Sequence, residues 1–166
     1  MLEQLREVGI NLGAALLEPT GRNTAPALTL AALAAVDNGS DPVLVAIPAD
    51  QTIADASAFN DAMHSAISEA AEGGVVILGI PPGRPETGYG YIQALADNNQ
   101  SVMTVKRFVE KPNVDIAQQY LEQGGFYWNA GMFVLKASVW LQALQAFRPD
   151  ILQATTQAWT KRSTDT

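Results

Sequence analysis

Apolar residues fall into short blocks whose spacing changes along the chain. Leu2, Leu5 and Val8 recur every three positions, which predicts a short amphipathic helix ending near Gly9. Ala14–Glu18 (AALLE) reads as a buried strand, followed by a loop over Pro19–Asn23. From Ala25 to Val36, Ala and Leu occupy nearly every face, so a well-covered helix is expected. Thr24 is its expected N-cap, with Pro26 in the first turn, where a missing N–H costs nothing. Asn38-Gly39-Ser40 stops it. Pro42–Ile47 (PVLVAI) and Val75–Leu78 (VVIL) are apolar runs without alternation, the mark of strands covered on both faces. Between them, Phe59, Met63, Ala66, Ile67 and Ala70 share one side of a helix over 55–72, which Gly73-Gly74 closes.

Strand, helix, strand, helix, strand over residues 14–78 implies right-handed crossovers and a mostly parallel sheet with helices on both faces. Ligands in such sheets bind beyond the carboxyl ends of the strands. The loops after Leu17, Ile47 and Leu78 therefore matter most. The second half is less regular. Pro81–Gly90, with three Pro and three Gly, is an ordered loop or a mobile lid. Val102–Val109 reads as a strand. Asn113 caps a helix over 114–123 that Gly124-Gly125 ends. Tyr127–Leu135 is β-forming around Asn129-Ala130-Gly131. Helices follow over 137–147, with Leu141 and Leu144 inward, and over 150–159, and residues 160–166 form a frayed polar tail.

The length of 166 residues fits a single domain with a real core. Net charge is −7, and it is uneven: residues 1–83 carry two basic and ten acidic side chains, residues 84–166 eight and seven. This balance argues against a nucleic-acid partner, though local cations or a bound metal still allow anionic ligands. The absence of cysteine excludes disulfides, zinc–thiolate sites and a thiol nucleophile, and fits a cytoplasmic setting. No apolar stretch reaches the length of a membrane span.

Candidate chemistry sits in the loops. Asp50, in Pro48-Ala49-Asp50-Gln51, follows an apolar strand, where a carboxylate can hold Mg²⁺ on a phosphate or simply serve a turn. Asp55 competes with it for the cap role. Glu86-Thr87-Gly88-Tyr89-Gly90-Tyr91 lets backbone approach a ligand closely, or forms a structural turn. Glu110 could accept hydrogen bonds from sugar hydroxyls and Lys111 could meet a phosphate; otherwise they are a surface ion pair. Asn129 is one polar amide in an apolar strand, reading a ligand or satisfying backbone. Arg22-Asn23 precedes a helix start, where anions are favoured. His64, the only histidine, is expected on a helix surface.

In order, Glu18-Pro-Thr-Gly-Arg-Asn-Thr-Ala-Pro-Ala27, Pro48-Ala-Asp50, Arg84-Pro-Glu-Thr-Gly-Tyr-Gly-Tyr-Ile92, Phe108-Val-Glu-Lys-Pro112 and Trp128-Asn-Ala-Gly-Met-Phe133 resemble the mannose-1-phosphate guanylyltransferases. The resemblance runs from about Leu2 to Ile151, and the first block is its most specific part. It implies a Rossmann-like α/β/α nucleotide-diphospho-sugar transferase fold. It implies a cytoplasmic, Mg²⁺-dependent nucleotidyltransferase that joins GTP and mannose 1-phosphate into GDP-mannose and pyrophosphate, in polysaccharide biosynthesis. Residue by residue, it implies Asp50 as metal ligand and catalytic group with Lys111. Gly88, Tyr89 and Gly90 match a loop closing over the sugar, Glu110 a sugar-binding acid, and Asn129 and Gly131 a sugar-binding N-x-G turn. Arg22, Asn23 and Thr24 match a block near the nucleotide.

The departures are as informative. Met1–Gly13 contains nothing like the family's glycine-rich nucleotide loop, the second metal-binding aspartate is not reached, and Gln51 stands where His is common. The expectation is one partial nucleotidyltransferase domain over 1–166, truncated at both ends. It would expose a sheet edge and apolar surface, and so self-associate. Two alternatives stand beside the enzyme. One is a non-catalytic sugar-phosphate-binding module; the other is a metal-dependent hydrolase using Asp50, Glu86 and Glu110.

Overall fold

The computed structural model describes residues 2–10, 12–95 and 102–163. Its elements in chain order are α1 (Leu2–Glu7), α2 (Thr24–Val36), β1 (Val43–Ala46), α3 (Ala56–Ala71), β2 (Val76–Ile80), β3 (Tyr91–Leu95), β4 (Thr104–Val109), α4 (Val114–Gln123), β5 (Phe126–Lys136), α5 (Ala137–Phe147) and α6 (Pro149–Thr160). Local chemistry sets several helix ends. Asp55 caps α3, its carboxylate accepting from Ala58 N–H at 2.9 Å. Asn113 caps α4 in the same way on Ile116 N–H, also at 2.9 Å. A long-range cap opens α5: Asp41 accepts from the Ser138 N–H at 2.9 Å and from its hydroxyl at 2.7 Å. These bonds hold the Asp41 carboxyl below its ordinary pKa. At α2, Asn23 occupies the cap position and Thr24 is already helical, with no side-chain cap bond.

β5 is the centre of a five-stranded sheet, and the expected parallel pairing is not found. Every pairing, β1–β5, β2–β5, β3–β5 and β3–β4, is antiparallel. The reason is topological. β1 and β2 do run the same way, joined by the crossover helix α3, but β5 lies between them and runs against both. An apolar run reports burial and not the direction of its neighbour. The strand expected at 14–18 also does not form; those residues are irregular, and Leu17 is 88% exposed. A strand needs a ladder partner, and among the described residues none meets this segment. Conversely, β3 falls just past the Pro- and Gly-rich loop and gives no separate signal in the sequence.

Two clusters form the core. Ala66 and Ala70 of α3 pack on Val134 of β5, with Val43, Met63, Val76 and Leu78 around them. Tyr91, Ala117, Tyr120 and Phe126 form the second, with Tyr120 and Phe126 stacked at 3.9 Å. Helices α2, α5 and α6 pack on one another, joined by the Trp140 indole N–H donating to the Thr29 hydroxyl at 3.0 Å. Arg162, in the expected tail, stacks on Trp159 at 3.7 Å and pairs with Asp37; residues 164–166 lie outside the described residues.

Candidate active site

The site begins with an interruption in β5. Trp128 pairs with Tyr91 of β3, and Phe133 pairs with Ala46 of β1. β2 uses the opposite edge, pairing with Trp128 and Phe133 from the other side. β1 therefore ends, and β3 begins, on one edge of β5, with Ala130–Met132 between them lacking a strand partner there. In the same stretch β2 advances from Ile77 to Gly79 while β5 runs from Phe133 back to Asn129. The surplus residues bulge, and Gly131 takes a left-handed φ of 70°. A bulge of this kind re-aims side chains and stops pairing.

Chain geometry brings three loops to this notch. The loop after β1 carries Asp50. The loop before β3 carries Gly88, Tyr89 and Gly90. The end of β4, which is paired to β3 at Tyr91↔Val109, carries Glu110 and Lys111. Contacts close the arrangement. Asn129 N–H donates to the Gly90 carbonyl at 2.8 Å. Gln51 Nε2 donates to the Ala130 carbonyl at 2.6 Å. A Cβ on Gly131 would stand 3.4 Å from Pro48 Cγ, so the Asp50 loop lies directly against the bulge. A Cβ on Gly90 would stand 2.6 Å from Phe108 Cζ and 3.0 Å from Glu110 Oε2, so only glycine lets the Glu110 carboxylate sit so close.

Each polar group has a defined state. Asn129 Oδ1 accepts from the Gly131 N–H at 3.1 Å, an Asx turn that does not use the two donors of the amide Nδ2. Glu110 and Lys111 pair at 3.4 Å with side chains 61% and 62% exposed, so water screens the pair and a ligand can compete for it. Lys111 has φ 44°, and Asn23 has φ 68°; they are the two non-glycine residues with positive φ among those described. Asp50 is exposed in a turn and has no ion-pair partner among the described residues.

The loop before β3 is internally pinned. Glu86 N–H donates to the Tyr91 hydroxyl at 2.9 Å, while Glu86 Oε1 accepts from Gly88 N–H at 3.1 Å and Oε2 pairs with Arg84. The Gly88 amide, then the Arg84 guanidinium, hold the Glu86 carboxyl below its ordinary value. Tyr89 stands edge-on to Trp128, centroids 5.5 Å apart. Gly88 therefore spends its amide on Glu86, whose structural role the sequence marks only by its position two residues earlier.

Arg22, Asn23 and Thr24 are exposed at the start of α2, which packs on α5 and α6, and no hydrogen bond or ion pair among the described residues ties them to the notch. His64 is exposed on α3, as expected. No three His, Cys, Asp or Glu among the described residues are grouped to hold a metal, so Asp50, Glu86 and Glu110 do not form one cluster. A divalent cation at Asp50 would take one carboxylate here and its other ligands from phosphate and water, a donor set that suits Mg²⁺. No helix of the described residues is long and apolar enough to cross a membrane.

The sheet thus carries a crossover helix and a polar notch on its central strand, and comparison with known proteins gives the family of this frame. The sequence profile of the nucleotidyl transferase family matches residues 1–166, and the chain belongs to that family. It is 49% identical over 157 residues to the xanthan biosynthesis protein XanB of Xanthomonas campestris pv. campestris (strain B100), covering 95% of this chain and 33% of that protein. It is 48% identical over 155 residues to a mannose-1-phosphate guanylyltransferase of Klebsiella pneumoniae, covering 92% and 33%. The crystal structure of mannose-6-phosphate isomerase from Helicobacter pylori superposes with a TM-score of 0.88 at 35% identity, over 99% of this chain and 61% of that one. The chain thus spans about a third of the length of the curated relatives it matches.

Proposed function

We propose that this chain carries the sugar-phosphate side of a guanylyltransferase that converts GTP and mannose 1-phosphate into GDP-mannose and pyrophosphate. The observation that carries the reading is the convergence of the Asp50 loop, the Gly88–Gly90 loop and Glu110-Lys111 on the bulge at Asn129–Gly131. Asn129 Nδ2 and the Glu110 carboxylate bind hexose hydroxyls, with Gly131 giving the ring room to approach. Lys111 faces the sugar phosphate as a point charge. Tyr89, edge-on to Trp128, covers the sugar. Asp50 would hold Mg²⁺, which when bound would supply charge neutralisation on the phosphates. In the reaction a mannose 1-phosphate oxygen attacks the α-phosphorus of GTP and pyrophosphate leaves. Positioning and charge neutralisation supply most of the acceleration in such a transfer. Arg22, Asn23 and Thr24 contact the nucleotide in this reading. XanB is named for xanthan biosynthesis, and the product of the proposed reaction suits polysaccharide assembly.

The test is pyrophosphate release from GTP, mannose 1-phosphate and Mg²⁺, comparing wild type with Asp50→Asn. Release that falls by two orders of magnitude or more in the variant supports the reading, and equal rates remove Asp50 from it. One second reading, favoured by the absence of any bond among the described residues between Arg22–Thr24 and the notch, is a module that binds sugar phosphate without turnover. Calorimetry decides it: mannose 1-phosphate binding with no Mg²⁺–GTP binding supports the module. We also propose self-association, because β1 has an unpaired edge among the described residues and Val45 beside it is 40% exposed. A sharp monomer at high concentration in analytical ultracentrifugation overturns that.

A further inference from the structure

The Ala130 carbonyl lies where β5 loses its strand partner on the notch edge, in a residue only 5% exposed. A buried backbone acceptor of this kind is costly to leave unpaired. The missing rung is supplied by a side chain. Gln51 Nε2 reaches it at 2.6 Å from 79 residues away in sequence. At the other end of the same short loop, the Pro48 ring lies against Gly131. Asp50 is thus held between two anchors, and both anchors rest on the Asn129-Ala130-Gly131 bulge.

We propose that Gln51 is a positioning residue that couples the Asp50 carboxylate to the hexose cradle, so that a divalent cation and a hexose 1-phosphate strengthen each other's binding. This rests on the reading of Asp50 as a metal ligand. Ordering the bulge around a sugar fixes the Ala130 carbonyl, Gln51 carries that order into the Asp50 loop, and by linkage the cation returns the same factor to the sugar. Without the donor, the loop keeps Pro48 as its remaining anchor and Asp50 samples more orientations.

The experiment uses Mn²⁺ as the probe, with free Mn²⁺ read by electron paramagnetic resonance, with and without mannose 1-phosphate. The proteins are wild type, Asp50→Asn, Gln51→Met and Gln51→His. Met keeps the length of the side chain and removes the donor; the His imidazole restores an N–H at similar reach. We expect wild type to bind Mn²⁺ at least tenfold more tightly when the sugar phosphate is present. Gln51→Met loses most of that enhancement, Gln51→His recovers it, and mannose 1-phosphate alone binds both variants within about threefold of wild type. A merely structural glutamine would lower the melting temperature without separating the sugar-bound from the sugar-free Mn²⁺ affinity. If Asp50→Asn abolishes Mn²⁺ binding but Gln51→Met keeps the full enhancement, the positioning role is overturned while the metal reading stands. If Asp50→Asn binds Mn²⁺ as wild type does, the metal reading falls and the coupling with it.

Discussion

Replacing Gly90 by alanine should separate stability from ligand binding. The new methyl would stand 2.6 Å from Phe108 Cζ and 3.0 Å from Glu110 Oε2. Carbon atoms pack best at about 3.5–4.0 Å, so the ring must move by roughly 1 Å. Phe108 is exposed and can swing outward, at the cost of an off-rotamer side chain, about 0.5–1.5 kcal/mol. At roughly 2–4 °C per kcal/mol for a chain of this size, Tm falls by only a few degrees. Glu110 Oε2, at the end of an exposed side chain, must also give by a few tenths of an ångström, which moves its carboxylate off the position it holds beside Gly90. A hydrogen bond to a charged group is worth about 1.5–3 kcal/mol. Its loss lowers mannose 1-phosphate affinity roughly ten- to hundredfold, at about 1.4 kcal/mol per tenfold. Isothermal titration calorimetry and a thermal melt on the same preparation read both quantities, with Glu110→Ala as the comparison. A Gly90→Ala protein that melts lower yet binds the sugar phosphate within twofold of wild type would refute the cradle role of Glu110.

Three further outcomes follow from the packing and the loops. Leu135→Ala empties a site with 0% exposure and should cost about 2–5 kcal/mol, a large drop in a thermal melt; a change within error would mean that β5 is not the core strand. Asn113→Ala removes the cap bond on Ile116 and should cost about 1 kcal/mol in denaturant unfolding, whereas Asn113→Asp should retain most of it. Glu86 has its folded pKa below the ordinary 4.5, so the order it gives the loop is fully present above pH 4.5 and is lost as pH falls through the lowered value. The Gly88 amide resonance in an NMR titration should therefore move with a midpoint below 4.5, and Arg84→Gln should raise that midpoint; a wild-type midpoint above 4.5 contradicts the contact.

The helices were legible because their signals are local. Asp55 and Asn113 lie immediately before α3 and α4, and Gly124 ends α4 with a φ of 71°. The runs at β1 and β2 were equally plain, yet their sheet was expected to be parallel, because β5, the strand that separates them, comes more than forty residues after β2 in the chain. Ala14–Glu18 has the composition of a strand and meets no ladder partner among the described residues, which no periodicity can reveal. The candidate site shows the same division. Asp50, Glu110 and Asn129 stood out by residue type and by family resemblance. The bonds from Gln51 to Ala130 and from Glu86 to Gly88 did not, since the first joins residues 79 apart and the second is hidden in a loop that also reads as a plain turn. Arg22–Thr24 match a motif at the start of α2, and a motif records kinship while leaving open which side chains meet across the fold.

The proposed function requires that a cation-bearing acid and a hexose cradle meet on the broken edge of β5. The most direct measurement is a crystal structure of the chain with mannose 1-phosphate and Mn²⁺, with the metal located by its anomalous signal. The anomalous peak is expected at the Asp50 carboxylate, with hexose hydroxyls within hydrogen-bond reach of Asn129 Nδ2 and Glu110. A metal peak away from Asp50, or a sugar bound away from the Asn129–Gly131 bulge, would contradict it.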